Sequence, residues 1–110
     1  MRERDEIPPG TLELLILQTL ARNTEMHGFA IADFIQQHSG DVLQVEEGSL
    51  YPALQRMLVK GWIEGEWSKT AENRRARFYR LTREGRAQWK REIDRYERVA
   101  GAIGRVLRTV

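Results

Sequence analysis

The residues with the clearest chemical potential are basic side chains in one short polar stretch. Arg74, Arg75 and Arg77 lie close together, and Lys69 precedes them. A guanidinium group donates hydrogen bonds in a rigid fork that matches a phosphate group. The polar segment from Ser68 to Arg75 separates two stretches with strand character, so we expect these side chains at and beside a hairpin tip, outside any core. This pattern predicts a hairpin that binds nucleic acid.

A helix is predicted just before this hairpin. Apolar residues at helical spacing form its buried stripe, and Gly61 ends it. The side chains expected outside that stripe can donate hydrogen bonds to phosphates or base edges: Ser49, Tyr51, Gln55 and Arg56. In a helix-turn-helix motif, the later of the two helices enters the major groove of DNA. The helix just before the hairpin has that position. We therefore expect this helix to recognise DNA.

The start of this helix has two open interpretations. If Ser49 is the N-cap, Pro52 lies in the first turn, where a proline is tolerated. If the helix starts at Glu46 or Glu47, Pro52 imposes a local irregularity. The carboxylates of Glu46 and Glu47 also have two interpretations. In the first, they interact favourably with the helix dipole. Alternatively, they disfavour wrong sequences or accept a hydrogen bond from a cytosine amino group.

The charges of the chain are segregated, although its formal net charge is only +2. Residues 1–55 carry three basic and nine acidic side chains, a balance of −6. Residues 56–110 carry fifteen basic and seven acidic side chains, a balance of +8. A basic half of this kind favours an anionic partner, and the alternative is a solvated surface with charges distributed by chance.

Composition excludes several classes of protein. A chain of 110 residues predicts one domain, and the absence of cysteine excludes disulfides and thiolate zinc sites. No apolar run reaches the length of a membrane span and no signal peptide is evident, so we expect a cytoplasmic protein without a membrane partner. His27 and His38 fit no catalytic or metal-binding motif. We therefore predict no enzymatic activity, no cofactor and no metal site.

Further elements are predicted on both sides of the hairpin. Thr11 is expected to cap a first helix, which runs from Leu12 to near Arg22. A second helix should start at His27–Gly28 and end at Ser39–Gly40. Its predicted apolar face consists of Phe29, Ile31, Ala32, Phe34 and Ile35. The hairpin strands are predicted at Trp62–Trp67 and Ala76–Leu81, and Thr82 is expected to cap a final helix.

The final helix carries a heptad pattern. Its apolar residues recur every three or four positions: Trp89, Ile93, Tyr96, Ala100, Ile103, Leu107 and Val110. This seam either packs on its own domain or pairs with the same helix of a second subunit. We favour a homodimer, because the other helices already supply a core, and we expect Leu14 and Leu17 of the first helix to join the interface. A two-fold dimer would match a pseudo-palindromic site.

Trp89 and Tyr96 lie two turns apart on this seam. Aromatic residues that face each other across a dimer axis can form a flat apolar cavity. One hypothesis is therefore a site for a small planar effector. The alternative is simple packing of the interface.

Several of these motifs together resemble the PadR-like transcriptional regulators. They are Gly48–Leu54 with Arg56–Met57 and Gly61–Glu64, Arg74–Thr82 followed by Gly85, and His27–Ile31. The resemblance implies a winged helix-turn-helix, a homodimer built by the C-terminal helix, and repression relieved by a small molecule. It also places DNA contacts at Ser49, Tyr51, Gln55, Arg56, Lys69 and Arg74 to Arg77.

The expected fold is mainly α with a small β-hairpin, in the α+β class. It comprises a winged helix-turn-helix with three helices and a two-stranded wing, followed by a long C-terminal helix. We expect residues 1–10 to form an N-terminal arm, residues 11–82 the DNA-binding domain and residues 83–110 the dimerisation helix. The expected function is a sequence-specific regulator that binds double-stranded DNA as a homodimeric repressor. A protein-docking module is the competing class.

Overall fold

The computed structural model describes residues 4–110, and within them the chain forms four helices and five strands. The helices are α1 (Leu12–Arg22), α2 (Gly28–His38), α3 (Glu47–Val59) and α4 (Arg83–Leu107). The strands are β1 (Asp5–Glu6), β2 (Met26–His27), β3 (Leu43–Gln44), β4 (Ile63–Lys69) and β5 (Arg75–Leu81). Three helices, a hairpin and a long last helix make up the predicted winged helix-turn-helix, so the fold class is confirmed.

The core lies between α1, α2, α3 and the base of the hairpin. Its buried apolar side chains are Ile16, Leu17, Leu20, Ile31, Ile35, Leu50, Ala53, Leu54, Met57, Ile63 and Tyr79. The prediction that Leu17 belongs to a dimer interface is wrong, because its side chain is 0% exposed and packs in this core. Leu14, three residues earlier, remains at the surface side of α1.

The hairpin is longer than predicted and has a third strand. β4 and β5 pair antiparallel from Ile63 opposite Leu81 to Lys69 opposite Arg75, so the connecting turn shrinks to residues 70–74. β2 pairs antiparallel with β5 and extends the sheet to three strands in the order β2-β5-β4. Two residues are too few to show an alternating pattern, which is why the sequence did not indicate β2. The term wing is used below for β4, β5 and residues 70–74.

The structure resolves the question of Pro52. α3 begins at Glu47, with Glu46 at the N-cap position and without a hydrogen bond to its side chain. Pro52 therefore lies inside the helix, beyond its first turn. Since proline has no N–H, the carbonyl of Gly48 receives no helical hydrogen bond from residue 52.

Near the starts of α1 and α2, two residues differ from the predictions, Thr11 and Phe29. The Thr11 hydroxyl donates to the carbonyl of Pro8 at 2.7 Å and does not cap α1. α2 starts as predicted, and Nδ1 of its N-cap residue His27 accepts a hydrogen bond from the backbone N–H of Ala30. The prediction that Phe29 lies on the buried face of α2 is wrong, because its side chain is 73% exposed.

The N-terminal segment is attached to the domain. Asp5 and Glu6 pair in parallel with Leu43 and Gln44, in the connection between α2 and α3. Residues 1–3 of the predicted arm lie outside the described residues. Parallel pairing of β1 with β3 places Pro8–Gly10 beside α1, where these residues line a groove described below.

α4 begins at its predicted cap and then extends away from the core. The Thr82 hydroxyl accepts a hydrogen bond from the Gly85 N–H at 3.0 Å. Near its start, α4 packs on α1, and Trp89 Nε1 donates to Gln18 Oε1 at 2.7 Å. The helix continues past its glycines to Leu107. Among residues 4–110, no helix is long and apolar enough to cross a membrane.

Candidate nucleic-acid interface

The wing presents two faces of different chemistry. Because side chains alternate along a strand, the face that continues the core carries Ile63, Gly65, Trp67, Lys69, Arg75, Arg77, Tyr79 and Leu81. We call this the inner face. The outer face carries Glu64, Glu66, Ser68, Ala76, Phe78 and Arg80. Beyond the core, the inner face is therefore basic and aromatic, whereas the outer face holds the carboxylates.

On the outer face, Arg80 is neutralised by three acidic side chains. Its guanidinium lies 2.7 Å from Glu64, 3.5 Å from Glu66 and 3.5 Å from Glu25. The hydrogen bond and negative charge of Glu64 are the main reason that the pKa of Arg80 is raised above its ordinary value. This face of the wing therefore offers little free positive charge to an anion.

On the inner face and at the tip of the wing, the cations have no acidic partners among residues 4–110. Within residues 4–110, none of Lys69, Arg74, Arg75 and Arg77 forms an ion pair, and Arg74 lies in the turn at the tip. The Arg75 guanidinium lies 4.9 Å from the ring centroid of Trp67, a distance typical of a cation–π contact. Arg75 is therefore held by an aromatic ring, and all four cations remain available to a phosphate.

An open cleft of about 710 Å³ separates the wing from the starts of α2 and α3. We call it the wing cleft. The wing side contributes Trp67, Arg74, Arg75, Arg77 and Tyr79, and the helices contribute His27, Gly28, Phe29 and Tyr51. Several predicted DNA-binding side chains from separate elements thus surround one space: Tyr51, Arg74, Arg75 and Arg77.

At the floor of the wing cleft, Tyr79 remains a neutral hydrogen-bond donor. Burial raises the pKa of its phenol above 10.0, the Arg77 charge acts in the opposite direction, and Tyr51 raises it further. The Arg77 guanidinium lies 5.9 Å from the centroid of the Tyr79 ring. A protonated phenol beside a guanidinium is compatible with an anion in the cleft.

The remaining predicted residues lie on α3 and at the end of β4. Gln55 is exposed on the side of α3 opposite its buried stripe. Arg56 lies on the flank that faces α1, where its Nε is 3.2 Å from Glu13. Ser49 is exposed two turns before Arg56 on that same flank. Lys69 is opposite Arg75 at the outer end of the wing. The structure therefore places Ser49 and Arg56 apart from the wing cleft.

Glu46 and Glu47 are both exposed at the start of α3. Glu47 lies in the first helical turn, where a negative charge favours the helix dipole. This position is consistent with the first interpretation, in which Glu47 interacts with the helix dipole.

A second open space, about 760 Å³ in volume, lies between Pro8–Thr11, α1 and α4. We call it the apolar groove. Most of the predicted interface residues line it: Leu14, Tyr96, Ala100, Ile103 and Leu107. Tyr96 is 50% exposed and Leu107 is 78% exposed, whereas Ala100 between them is less exposed. Trp89 and Ile93 lie nearer the domain and are only partly exposed, and neither lines the groove.

Residues 16–91 match the transcriptional regulator PadR-like family. The chain belongs to this family. Its members are transcriptional regulators, not enzymes. A PadR-like transcriptional regulator from Bacillus cereus has a similar structure, with 26% identity and a TM-score of 0.77 over 92% of this chain and 95% of that one. A transcriptional regulator from Clostridium thermocellum aligns with a TM-score of 0.78 and 24% identity, covering 87% and 92% of the two chains.

A DNA complex of a family member shares the fold of this PadR-like regulator. Bacillus subtilis PadR, whose structure was solved with operator DNA, aligns with a TM-score of 0.67 and 22% identity. The alignment covers 78% of this chain and 48% of that protein.

The residues of the wing cleft that sequence reasoning missed in this PadR-like regulator include Trp67, Tyr79 and Phe29. Trp67 and Tyr79 share the inner face with Ile63, and the alternation of strand side chains could have indicated both. Phe29 could not be found in this way, because its position in an apolar helical pattern predicts burial. Its exposure follows from its place at the start of α2, where the helix borders the cleft.

Proposed function

We propose that this PadR-like regulator is a sequence-specific DNA-binding repressor that acts as a homodimer on double-stranded DNA. The observation that carries the proposal is the unpaired positive charge on the inner face of the wing, beside α3. Arginine side chains without acidic partners are suited to the phosphates of a DNA backbone. The operator DNA present in the Bacillus subtilis PadR structure supports the same class of partner.

In this proposal, α3 enters the major groove and the wing follows the backbone. Residues 11–82 form the DNA-binding unit, residues 83–110 the dimerisation helix and residues 1–10 an arm. Gln55 is the exposed α3 side chain best suited to base readout, because an amide can pair with two atoms of one adenine. Further contacts to DNA on both sides of Gln55 would come from Ser49, Tyr51 and Arg56.

Gln55→Ala should change sequence preference more than general affinity. A lost base contact costs roughly 1–3 kcal/mol at the base pair concerned and nothing at other positions. Binding to a set of duplexes, each with one altered base pair, measures this. Ser68→Ala, on the outer face of the wing, is the control. An equal loss on every duplex would argue against base readout by Gln55.

The homodimer in this proposal is formed across the apolar groove. Ile103 is 55% exposed and Leu107 is 78% exposed, although both continue the heptad seam. Exposed apolar patches with polar surroundings are typical of protein–protein interfaces. A second copy that presents the same α4 seam would cover them, with Leu14 and Tyr96 at the same surface. The symmetry of such a dimer suits a pseudo-palindromic operator.

We further propose that a small planar effector binds at this interface and releases the DNA. Tyr96 is half exposed at the groove, and Trp89 lies two helical turns earlier on α4. The Trp89 indole N–H already donates to Gln18, and the Arg86 guanidinium lies 5.9 Å from the centroid of its ring, so little of Trp89 is available to a ligand. Tyr96 is therefore the stronger of the two candidates.

Planar aromatic compounds bound beside Tyr96 should quench the tryptophan fluorescence of the proposed dimer, because Trp89 lies two helical turns away on the same helix. Trp89→Phe assigns the signal, since the chain also contains Trp62 and Trp67. We expect saturable quenching that is reduced in this variant and abolished by Tyr96→Ala. No quenching across a broad panel of planar compounds would count strongly against an effector site.

A protein-docking module is the alternative function, because winged-helix domains also serve as interaction domains. The unpaired cations of the wing favour DNA. A gel-shift titration with the DNA upstream of the protein's own gene, at near-physiological salt, separates the two classes. Binding that is resistant to unrelated competitor DNA supports a sequence-specific regulator, whereas equal competition supports non-specific binding.

A further inference from the structure

Arg77 differs from the other wing cations in its surroundings. Its Nε is buried and has no hydrogen-bond partner among the described residues. A buried polar group without a partner destabilises the fold, and the effect is larger when the group is charged. The guanidinium also has no carboxylate partner in residues 4–110. Glu72 also lines the wing cleft but forms no ion pair with Arg77, so the fold retains a partly buried cation there without an acidic partner in residues 4–110.

Tyr51 reaches the same cleft from the opposite side. It belongs to α3, its side chain is about half exposed, and its ring packs on Gly28 at the start of α2. The Tyr51 hydroxyl has no hydrogen-bond partner among the contacts of the described residues. A guanidinium on β5 and a phenol on α3 thus line one space without partners of their own.

Two glycines, which have no side chain, provide space for Arg77 and Tyr51. A Cβ atom at Gly65 would lie 2.5 Å from Arg77 Nε. A Cβ atom at Gly28 would lie 2.9 Å from Tyr51 Cε1 and 2.9 Å from its hydroxyl oxygen. In both cases the nearest atoms belong to the side chain that faces the cleft. Glycine in a strand often marks such a close approach.

We propose that Arg77 and Tyr51 together bind one phosphate of the DNA backbone, and that Gly28 and Gly65 are positioning residues for them. This site rests on the proposed function, because DNA is the phosphate-bearing partner. A guanidinium and a neutral hydroxyl both donate to phosphate oxygens, and the neighbouring Tyr79 phenol is a further donor. Arg74 and Arg75 continue the same basic surface toward the tip, as a repeating polyanion requires.

The first test replaces single phosphates of the DNA by neutral methylphosphonates. The probe is a short duplex from upstream of the protein's own gene, bound by wild type, Arg77→Gln and Tyr51→Phe. Each variant should bind the unmodified duplex about tenfold more weakly, as expected for one lost charged hydrogen bond. At one phosphate per half-site, the neutral substitution should weaken wild type more than either variant, because each variant has already lost one of the two contacts to that phosphate. Identical responses of all three proteins at every position would overturn the site.

The second test separates positioning from folding. Gly65→Ala should lower affinity for DNA about as much as Arg77→Gln does. The double variant Gly65→Ala/Arg77→Gln should bind no more weakly than Arg77→Gln alone. Gly28→Ala should weaken wild type but cost nothing in a Tyr51→Ala background, where the ring is absent. Additive effects in both pairs would show that the glycines act only on the fold. Gly101→Ala on α4, where the added Cβ meets Arg105 at an ordinary 3.8 Å, is the matched control.

Failure of this site is distinguishable from failure of the proposed function. If wild type shows no salt-dependent DNA binding, the proposed function fails and the site fails with it. If wild type binds DNA and loses affinity at individual methylphosphonates, while Arg77→Gln and Tyr51→Phe bind as wild type does, only the site is overturned.

Discussion

Replacing Arg74 and Arg75 by alanine should weaken binding to every DNA duplex roughly 100-fold, because two charged contacts to phosphates are lost. The dependence of log K on log salt should become shallower by about 2 units, since fewer counterions are released. Both residues lie at the exposed end of the wing, without acidic partners in the described chain. Fluorescence anisotropy at several salt concentrations measures affinity and slope together.

A matched control for this pair is Arg91→Ala. Arg91 is an exposed arginine on α4, and its only side-chain hydrogen bond within residues 4–110 is to Gln88 of the same helix. Its removal should leave the salt slope of DNA binding as in wild type. An unchanged affinity and slope in the Arg74→Ala/Arg75→Ala protein would contradict the assignment of the wing to the DNA backbone.

Ile103→Glu should convert the proposed homodimer into a folded monomer. Ile103 is exposed in the isolated chain and lines the apolar groove, so its replacement leaves the core intact. In the dimer, the new carboxylate would be buried twice without a partner, and such a charge costs on the order of 3–5 kcal/mol. The dimer dissociation constant should therefore rise by roughly a thousandfold or more. Light scattering over a range of concentrations measures the mass.

Arg98→Glu tests whether any new carboxylate on α4 has this effect. Arg98 is exposed, does not line the groove and lies on the other side of the helix from Ile103. We expect this protein to remain dimeric.

Ile103→Glu should also lose affinity for a two-half-site duplex, because each monomer can contact one half-site only. A dimeric Ile103→Glu protein would refute the proposed interface.

The elements with strong periodicity were predictable from the sequence. The apolar spacing of α3 and of the hairpin strands reflects burial on one side, which is what a repeating pattern records. The heptad of α4 predicted the helix itself, although much of its seam is exposed. Leu17 shows the limit of this reasoning. A wide apolar stripe does not reveal which of its members face the core, and the structure buries Leu17 while leaving Leu14 at the groove.

Other features depended on tertiary contacts that have no local signal. β2 exists because Met26 and His27 pair with Tyr79 and Phe78, which lie far away in the sequence. Arg56 seemed a free donor on α3, whereas Glu13 of α1 is its neighbour in the fold. The wing cleft is likewise a product of packing, because Gly28, Tyr51 and Arg77 come from three separate elements.

The mass of the protein–DNA complex tests the central claim most directly. The protein is mixed with a duplex from upstream of its own gene and an excess of unrelated competitor, at near-physiological salt, and the complex is measured by light scattering. The account predicts one duplex with two chains of 12.9 kDa each per operator. It also predicts that the unrelated duplex does not displace the operator. The absence of a complex, one chain per operator, or equal binding to both duplexes would contradict it.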